Sequence, residues 1–137
     1  MAVVDLVSGY AGNYRVNKEI LDGPVLLKRF IDTTVTPLVS GNTYEIFKYD
    51  ANSLIKSAFL ITETVEGAVE TVDLMSASSG AVTLIDNHDL NTDNKVTGYT
   101  TGTFASATNY ICILANAAIT AAKFWVGVEI VKFKNTD

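Results

Sequence analysis

The sequence is poor in the residues that most often carry catalysis or bind metals. It contains one cysteine and one histidine among 137 residues. Cys112 alone cannot close an intrachain disulfide, and zinc sites need three or four His, Cys or carboxylate ligands, which His88 and one distant cysteine do not supply. The chain also lacks a G-x-S-x-G nucleophile elbow and a phosphate-cradling glycine loop. We therefore expect no enzymatic activity and no cofactor.

Basic residues and long apolar runs are also scarce. The net charge is −5 with a pI near 4.7, and the ten Lys and Arg residues are scattered rather than gathered into a stripe that would neutralise phosphates. No predominantly apolar run approaches the length of a membrane span, because the longest uncharged stretch, residues 96–122, is interrupted by Thr, Ser, Asn and Gly, and Asp5 precedes the first basic residue, Arg15. These features predict no nucleic-acid partner, no membrane partner and no signal peptide.

What the chain does contain is enough apolar surface for one folded domain. Hydrophobic residues make up 48% of the sequence, and the mean hydropathy is +0.25. Disordered chains combine low hydrophobicity with high net charge, which this chain does not. At this length, a single hydrophobic core is expected.

Short β-prone runs follow one another from Val25 to the C-terminus. They are rich in Val, Ile, Thr, Tyr and Phe and are separated by turn residues: LLKRFIDTTV, TYEIFKYD, SAFLITETVE, AVETVDLMS, AVTLID, KVTGYTTGTF, NYICILAN and KFWVGVEIVKF. The pattern predicts an all-β domain of about eight strands over residues 25–137, with a tight hairpin at Glu66-Gly67. The acidic pair Glu63 and Glu66 is interpreted as part of a solvated face.

Residues 1–24 have no clear period and are predicted to be an irregular N-terminal arm, or alternatively an edge strand. An arm that reaches a neighbouring subunit must bury apolar surface to offset the entropy of its ordering. The residues expected to make that contact are Val3, Val4, Leu6, Val7 and Tyr10.

The last predicted strand is apolar on both faces. Phe124, Val126, Val128 and Ile130 alternate with Trp125, Gly127, Glu129, Val131 and Phe133. An ordinary sandwich strand buries one face and exposes the other to water. We therefore expect Trp125, Val131 and Phe133 to contact another subunit or the arm, whereas a closed barrel covered by a loop is the alternative.

The stretch Asp86–Asn94, DNHDLNTDN, is the densest cluster of polar groups. Asp89-x-Asn91-x-Asp93 matches the first three ligand positions of a calcium loop, but Asn94 replaces the required glycine and Thr100 replaces the closing carboxylate. A turn in which Asn and Asp bond to their own backbone is therefore preferred. The residues left as weak calcium candidates are Asp86, Asp89, Asn91 and Asp93.

The sequence resembles a group of small virion proteins of tailed bacteriophages over about residues 24–131. The resemblance rests on an SGxxYxxxxxxAxxLI stretch, a VETVDL strand and a closing strand after AAxxxAGKF. The matching residues are Ser40, Gly41, Tyr44, Ala51, Leu54, Ile55, Thr71, Val72, Asp73, Ala121, Lys123 and Phe124. Ala122 stands where the relatives tend to have glycine, which affects the expected turn geometry.

The resemblance implies a jelly-roll-like antiparallel β-sandwich that decorates or cements a capsid surface by bridging neighbouring capsomers. Its implied partners are the major capsid protein and copies of itself in a homotrimer made late in infection. One alternative is a receptor- or carbohydrate-binding module of a fibre or adhesin, with Tyr99 stacking and Asp89 or Asp93 binding hydroxyls. A tail or baseplate subunit is the other alternative.

Overall fold

The computed structural model describes residues 2–5, 24–79 and 81–133. Every regular element in these ranges is a strand. The ten strands are β1 (Val3–Asp5), β2 (Val25–Asp32), β3 (Thr43–Tyr49), β4 (Ser53–Thr64), β5 (Thr71–Met75), β6 (Thr83–Asp89), β7 (Val96–Tyr99), β8 (Thr103–Ala105), β9 (Asn109–Ala115) and β10 (Lys123–Lys132).

The strands form two sheets. Sheet I has the order β1-β3-β9-β5-β6, and sheet II has the order β2-β10-β4-β7, with β8 also pairing with β4. All pairs are antiparallel except β1 with β3, which are parallel. The predicted all-β, mainly antiparallel sandwich is confirmed.

Each of the eight predicted runs contains a strand, and two differences raise the number to ten. The run KVTGYTTGTF divides into β7 and β8, which pair with successive parts of β4. The division occurs where Gly102 has a φ of 90° and where a register shift in β4 leaves Lys56 out of the pairing with β10. The other addition, β1, corresponds to the edge-strand alternative for the N-terminal segment.

The predicted hairpin at Glu66-Gly67 is wrong, because β4 lies in sheet II and β5 lies in sheet I. The connection between them crosses from one sheet to the other. Glu66 is also buried rather than solvated, and its two carboxylate oxygens accept hydrogen bonds from the backbone N–H groups of Thr120 and Ala121, both at 2.9 Å. Local alternation did not reveal this burial because the partners lie more than fifty residues away in the chain.

The core lies between the sheets. On β10, Phe124, Val126, Val128 and Ile130 all point inward and are fully buried, as the period-2 pattern predicted. They pack with inward side chains of sheet I, among them Tyr44, Ile46, Phe47, Ile111 and Ile113. Burying a side chain of this size stabilises the fold by roughly 1.5–3 kcal/mol, which makes β10 a central element of the core.

Four connections that cross between the sheets lie at one end of the sandwich: residues 33–42, 65–70, 90–95 and 116–122. Leu38 and Ile119 exchange two backbone hydrogen bonds of 2.9 Å, and the Thr33 hydroxyl donates to the Ala122 carbonyl at 2.6 Å. The amide of Asn91 donates to the Glu66 carbonyl at 2.5 Å. The four connections are therefore joined to one another as well as to the sheets.

Candidate assembly surface

His88 lies in the interior and holds the two sheets together along one edge. It is buried on β6 of sheet I, and its ring nitrogens lie 2.9 Å from the Thr62 hydroxyl and 2.8 Å from the Thr97 hydroxyl, both in sheet II. The Thr62 hydroxyl donates its one hydrogen to the Asp89 carbonyl at 2.9 Å. The imidazole Nε2 must therefore donate to Thr62, and Nδ1 accepts from Thr97. Burial lowers the pKa of His88 to about 4, which stabilises this neutral tautomer.

The acidic stretch behind His88 forms a turn stabilised by its own side chains. The Asp89 carboxylate accepts from the Asn91 backbone N–H at 2.7 Å and from the Thr92 hydroxyl at 2.5 Å. These hydrogen bonds lower the pKa of Asp89 below its usual value. Asn94 has a φ of 57°, the left-handed conformation that asparagine tolerates. Asp86 and Asp93 are exposed.

The structure also places the other residues considered for chemistry. Tyr99 packs against the core, and its hydroxyl is hydrogen-bonded to the Thr103 hydroxyl. Burial raises the pKa of the Cys112 thiol to about 12, which opposes thiolate formation. Within the described ranges, no three His, Cys, Asp or Glu side chains are grouped as a metal site would require, and no helix there is long and apolar enough to cross a membrane.

The outer face of sheet II presents several large apolar side chains to solvent, among them Leu26, Val96, Phe104 and Trp125. Because Phe124, Val126, Val128 and Ile130 point inward, the alternate residues of β10 point outward. Trp125 is 38% exposed and Phe133, just beyond the strand, is 48% exposed. We use the name outer face for the outward side chains of β2, β10, β4, β7 and β8.

The strand register arranges these side chains in rows across the sheet. One row runs from Phe30 on β2 through Trp125 on β10 and Ile61 on β4 to Val96 on β7. The Phe30 and Trp125 rings lie 5.0 Å apart at an angle of 51°. Such tilted pairs are favourable beyond the area they bury. The row is therefore a continuous apolar band four strands wide.

A second apolar group lies at the far end of β10. There Val131 pairs with Leu54, and Leu54 pairs with Phe104 on β8. The Phe104 and Phe133 rings lie 5.9 Å apart, and both are about half exposed. The two aromatic pairs, Phe30 with Trp125 and Phe104 with Phe133, thus mark opposite ends of the outer face.

Phe59 joins the two groups by lying over a glycine. A Cβ atom added to Gly127 would lie 2.0 Å from the Phe59 Cζ atom, so the aromatic ring occupies the space that any side chain at position 127 would need. Gly127 is buried as a result. The glycine at this central position allows the Phe59 ring to lie flat across the neighbouring strand.

Charged side chains of both signs border the apolar rows. Lys56 lies 3.6 Å from Glu129, Lys123 lies 3.9 Å from Asp32, and the Trp125 indole donates to the Glu63 carboxylate at 3.1 Å. Lys28 is exposed on β2 beside Gly127. Among the residues that the structure describes, the face thus carries three lysines and three carboxylates, so these charges balance although the whole chain carries −5.

The predicted contact residues fall into three groups. Trp125, Val131 and Phe133 lie together on the outer face, as their alternation with the core residues predicted. Val3 and Val4 lie on β1 at the edge of sheet I, where Val3 is half exposed and Val4 packs against the core. Leu6, Val7 and Tyr10 lie outside the described residues.

Sequence analysis missed most of the remaining members of this surface. Leu26, Phe30, Phe59, Ile61, Val96 and Phe104 were assigned to strands but not to a common face. The alternation of Leu26, Lys28 and Phe30 against the inward Leu27 and Ile31 carried part of the signal. Their grouping depends on which strands are neighbours, which alternation does not specify.

No known protein family matches this sequence, and no curated protein matches it either. The solved structures that share its fold include chains from two bacteriophage capsids. A chain from a structure of the capsid of Ralstonia phage GP4 matches with a TM-score of 0.63 at 12% identity, and the alignment covers 98% of this chain and 100% of that chain. A chain from an acid-stable capsid structure of Helicobacter pylori bacteriophage KHP30 matches with a TM-score of 0.52 at 16% identity, covering 80% and 87%. At these identities the likeness is one of fold.

Proposed function

We propose that this protein is a structural subunit of a tailed-bacteriophage virion that decorates or cements the capsid surface. The observation that carries the proposal is the end-to-end fold likeness to a chain of the Ralstonia phage GP4 capsid structure. The alignment spans 98% of this chain and 100% of that chain, so the likeness extends over both aligned chains and not over one part of the sandwich. The residues that resemble small phage virion proteins support the same proposal independently.

The proposed action is bridging rather than catalysis. The subunit contacts the major capsid protein and further copies of itself, for which the resemblance implies a trimer, and it joins neighbouring capsomers. Each contact needs only modest affinity, because a linked group of subunits that binds several sites at once gains avidity through effective concentration. The half-exposed aromatic and aliphatic side chains of the outer face supply apolar contact area for such binding.

The proposal is tested on purified virions. Mass spectrometry of particles banded in a density gradient should detect this chain at a fixed ratio to the major capsid protein, and cryo-electron microscopy should show its ten-stranded sandwich on the outside of the head. Finding the chain only in the soluble fraction of the lysate would overturn the proposal. Density in the tail or baseplate would instead support the tail-subunit alternative.

A binding experiment tests the N-terminal contribution. Deletion of residues 1–12 removes β1 together with Leu6, Val7 and Tyr10, while β3 retains its pairing with β9. We expect the truncated protein to fold and unfold cooperatively but to co-sediment with stripped particles about 10-fold more weakly, because apolar contact area is lost. Full-strength binding by the folded truncated protein would exclude a contact role for this segment.

A further inference from the structure

The outer face of sheet II is large enough and apolar enough to be an interaction surface. Eight residues separate Trp125 on β10 from Phe133 just beyond it, which corresponds to roughly 26 Å, and the four strands span roughly 19 Å, so the whole face, polar side chains included, covers roughly 500 Å² in projection. The largest apolar patch on an ordinary monomer is about 300–600 Å² and is often functional. Leu26, Val96 and Phe104 are each about half exposed or more on this face.

The charges on the face identify the kind of partner. Lys28, Lys56 and Lys123 are balanced by Asp32, Glu63 and Glu129, so the face has no net charge. Outward groups of sheet I include the carboxylates of Asp73 and Asp86, and the chain as a whole is acidic. Two copies that meet through the outer face of sheet II therefore avoid like-charge repulsion, and each presents lysines and carboxylates to the other. A strongly basic or acidic partner gains nothing from a neutral face.

We propose that the outer face of sheet II packs against a second copy of this chain. This inference deepens the proposed function, on which its biological setting rests, by assigning the surface that joins the copies. A two-fold pair and a three-fold ring both satisfy it. The area is below the roughly 800 Å² per partner of a standard interface. Self-association is therefore concentration-dependent in free solution and is strengthened where capsid binding brings copies together.

The single tryptophan of the chain provides a direct probe, since Trp125 lies in the aromatic row of this face. Sedimentation equilibrium of the purified full chain from about 1 µM to about 200 µM should show a rising weight-average mass. Trp125 emission should shift to shorter wavelength over the same range because the indole leaves water. A monomer mass that stays constant up to about 200 µM would overturn the proposal, whether or not Trp125 is shielded by its own chain.

Matched variants separate this face from the rest of the surface. Leu26→Glu and Phe104→Glu place a carboxylate at opposite sides of the face and should each weaken self-association by about 10-fold or more. Val82→Glu is the control, since Val82 lies between β5 and β6 of sheet I and is 48% exposed, compared with 49% for Leu26. The control should stay within about 2-fold of wild type. Equal weakening by Val82→Glu and Leu26→Glu would assign the effect to net charge and contradict the proposal.

The self-association experiment and the virion experiment can fail independently of each other. A monomeric chain that is still found on particles would retain the proposed function and remove only the self-association surface. A chain that associates through this face but is absent from particles would retain the self-association surface and remove the proposed function. Circular dichroism and cooperative unfolding of each variant confirm that the comparison is between folded proteins.

Discussion

Two buried ionisable side chains, His88 and Glu66, have structural roles at the residue scale. His88 connects β6 to the threonines of the opposite sheet, and Glu66 binds the connection before β10. Sequence analysis singled out His88 for its rarity and its acidic neighbours, and it interpreted Glu66 as a surface residue. Each is instead hydrogen-bonded to groups from distant parts of the chain. Each therefore links segments that lie far apart in the sequence.

His88 predicts a specific loss of stability at mildly acidic pH. Its pKa is lowered from 6.5 to about 4, chiefly by burial, with opposing effects of Asp89 and Lys95. The unfolded chain therefore binds a proton more readily than the folded chain, and stability is complete above pH 6.5 and is lost as the pH falls towards 4. The free energy of unfolding in urea should decrease by up to about 3 kcal/mol across this window.

The control for this prediction is His88→Gln, which lacks a group that titrates in the window and should show a much flatter dependence between pH 6.5 and 4. The pKa values of Asp32 and Asp89 are lowered from 3.8, so their contributions to stability are lost mainly below about pH 4, as the pH falls past the unfolded value. An unchanged pH dependence in His88→Gln would show that another group is responsible.

Glu66→Gln should destabilise the fold at neutral pH. Both oxygens of the buried carboxylate accept backbone hydrogen bonds, and the amide NH2 of glutamine cannot accept one, so the N–H of Thr120 or Ala121 loses its partner and the amide NH2 is left buried against it. We expect a loss of about 1–3 kcal/mol in the free energy of unfolding measured with urea. Glu63→Gln, at an exposed position near the end of β4, can still accept from the Trp125 indole and should change stability by less than about 0.5 kcal/mol. Equal effects would contradict the assigned role of Glu66.

At the element scale, pairing between strands determines which alternating residues form a surface. β10 lies between β2 and β4, so its outward residues meet those of both neighbours. Sequence periodicity predicted the two apolar faces of β10 and the inward core residues. It did not predict that β4 and β5 belong to different sheets, because EG between two alternating runs is also a hairpin signal. The buried Glu66 and the linked connections stabilise the crossing instead.

The contact between Gly127 and Phe59 supplies a test of this packing between strands. Gly127→Ala places a Cβ atom where the Phe59 ring lies, so the ring must move. We expect a loss of about 1–3 kcal/mol in unfolding free energy. In a Phe59→Ala background the cost of the same substitution should be smaller by about 1 kcal/mol or more, because the obstructing ring is absent. Additive effects in this double-mutant cycle would show that the two residues do not interact.

At the scale of the whole molecule, apolar surface and charge are distributed unequally over the two sides of the sandwich. Sheet II exposes aromatic and aliphatic side chains with balanced charges, whereas the complete chain is acidic. In the proposed self-association, this distribution places the contact on one side of the sandwich and leaves the remaining acidic surface in solvent. A fold of this kind is suited to lie between partners, which agrees with the proposed role on a capsid.

Self-association through this face should depend little on salt. Apolar burial is not screened by ions, and the charges on the face balance. Raising NaCl from about 0.05 M to about 0.5 M should change the dissociation constant, measured by sedimentation or Trp125 emission, by less than about 3-fold. A weakening of 10-fold or more would show that ion pairs dominate the contact. Phe104→Glu, tested over the same range, should remain weaker than wild type at every salt concentration.

The sequence by itself determined the all-β class, the positions of the strand-forming runs, the inward row of β10 and a turn in the second half of Asp86–Asn94, whereas residues 86–89 of that stretch belong to β6. These features depend on local alternation and on turn residues, which act over a few neighbouring positions. The tertiary structure alone decided the sheet to which each strand belongs, the burial of Glu66 and the joining of Phe30, Trp125, Phe104 and Phe133 into one face. Those features depend on strand order and register, which bring together residues far apart in the chain and therefore leave no local pattern.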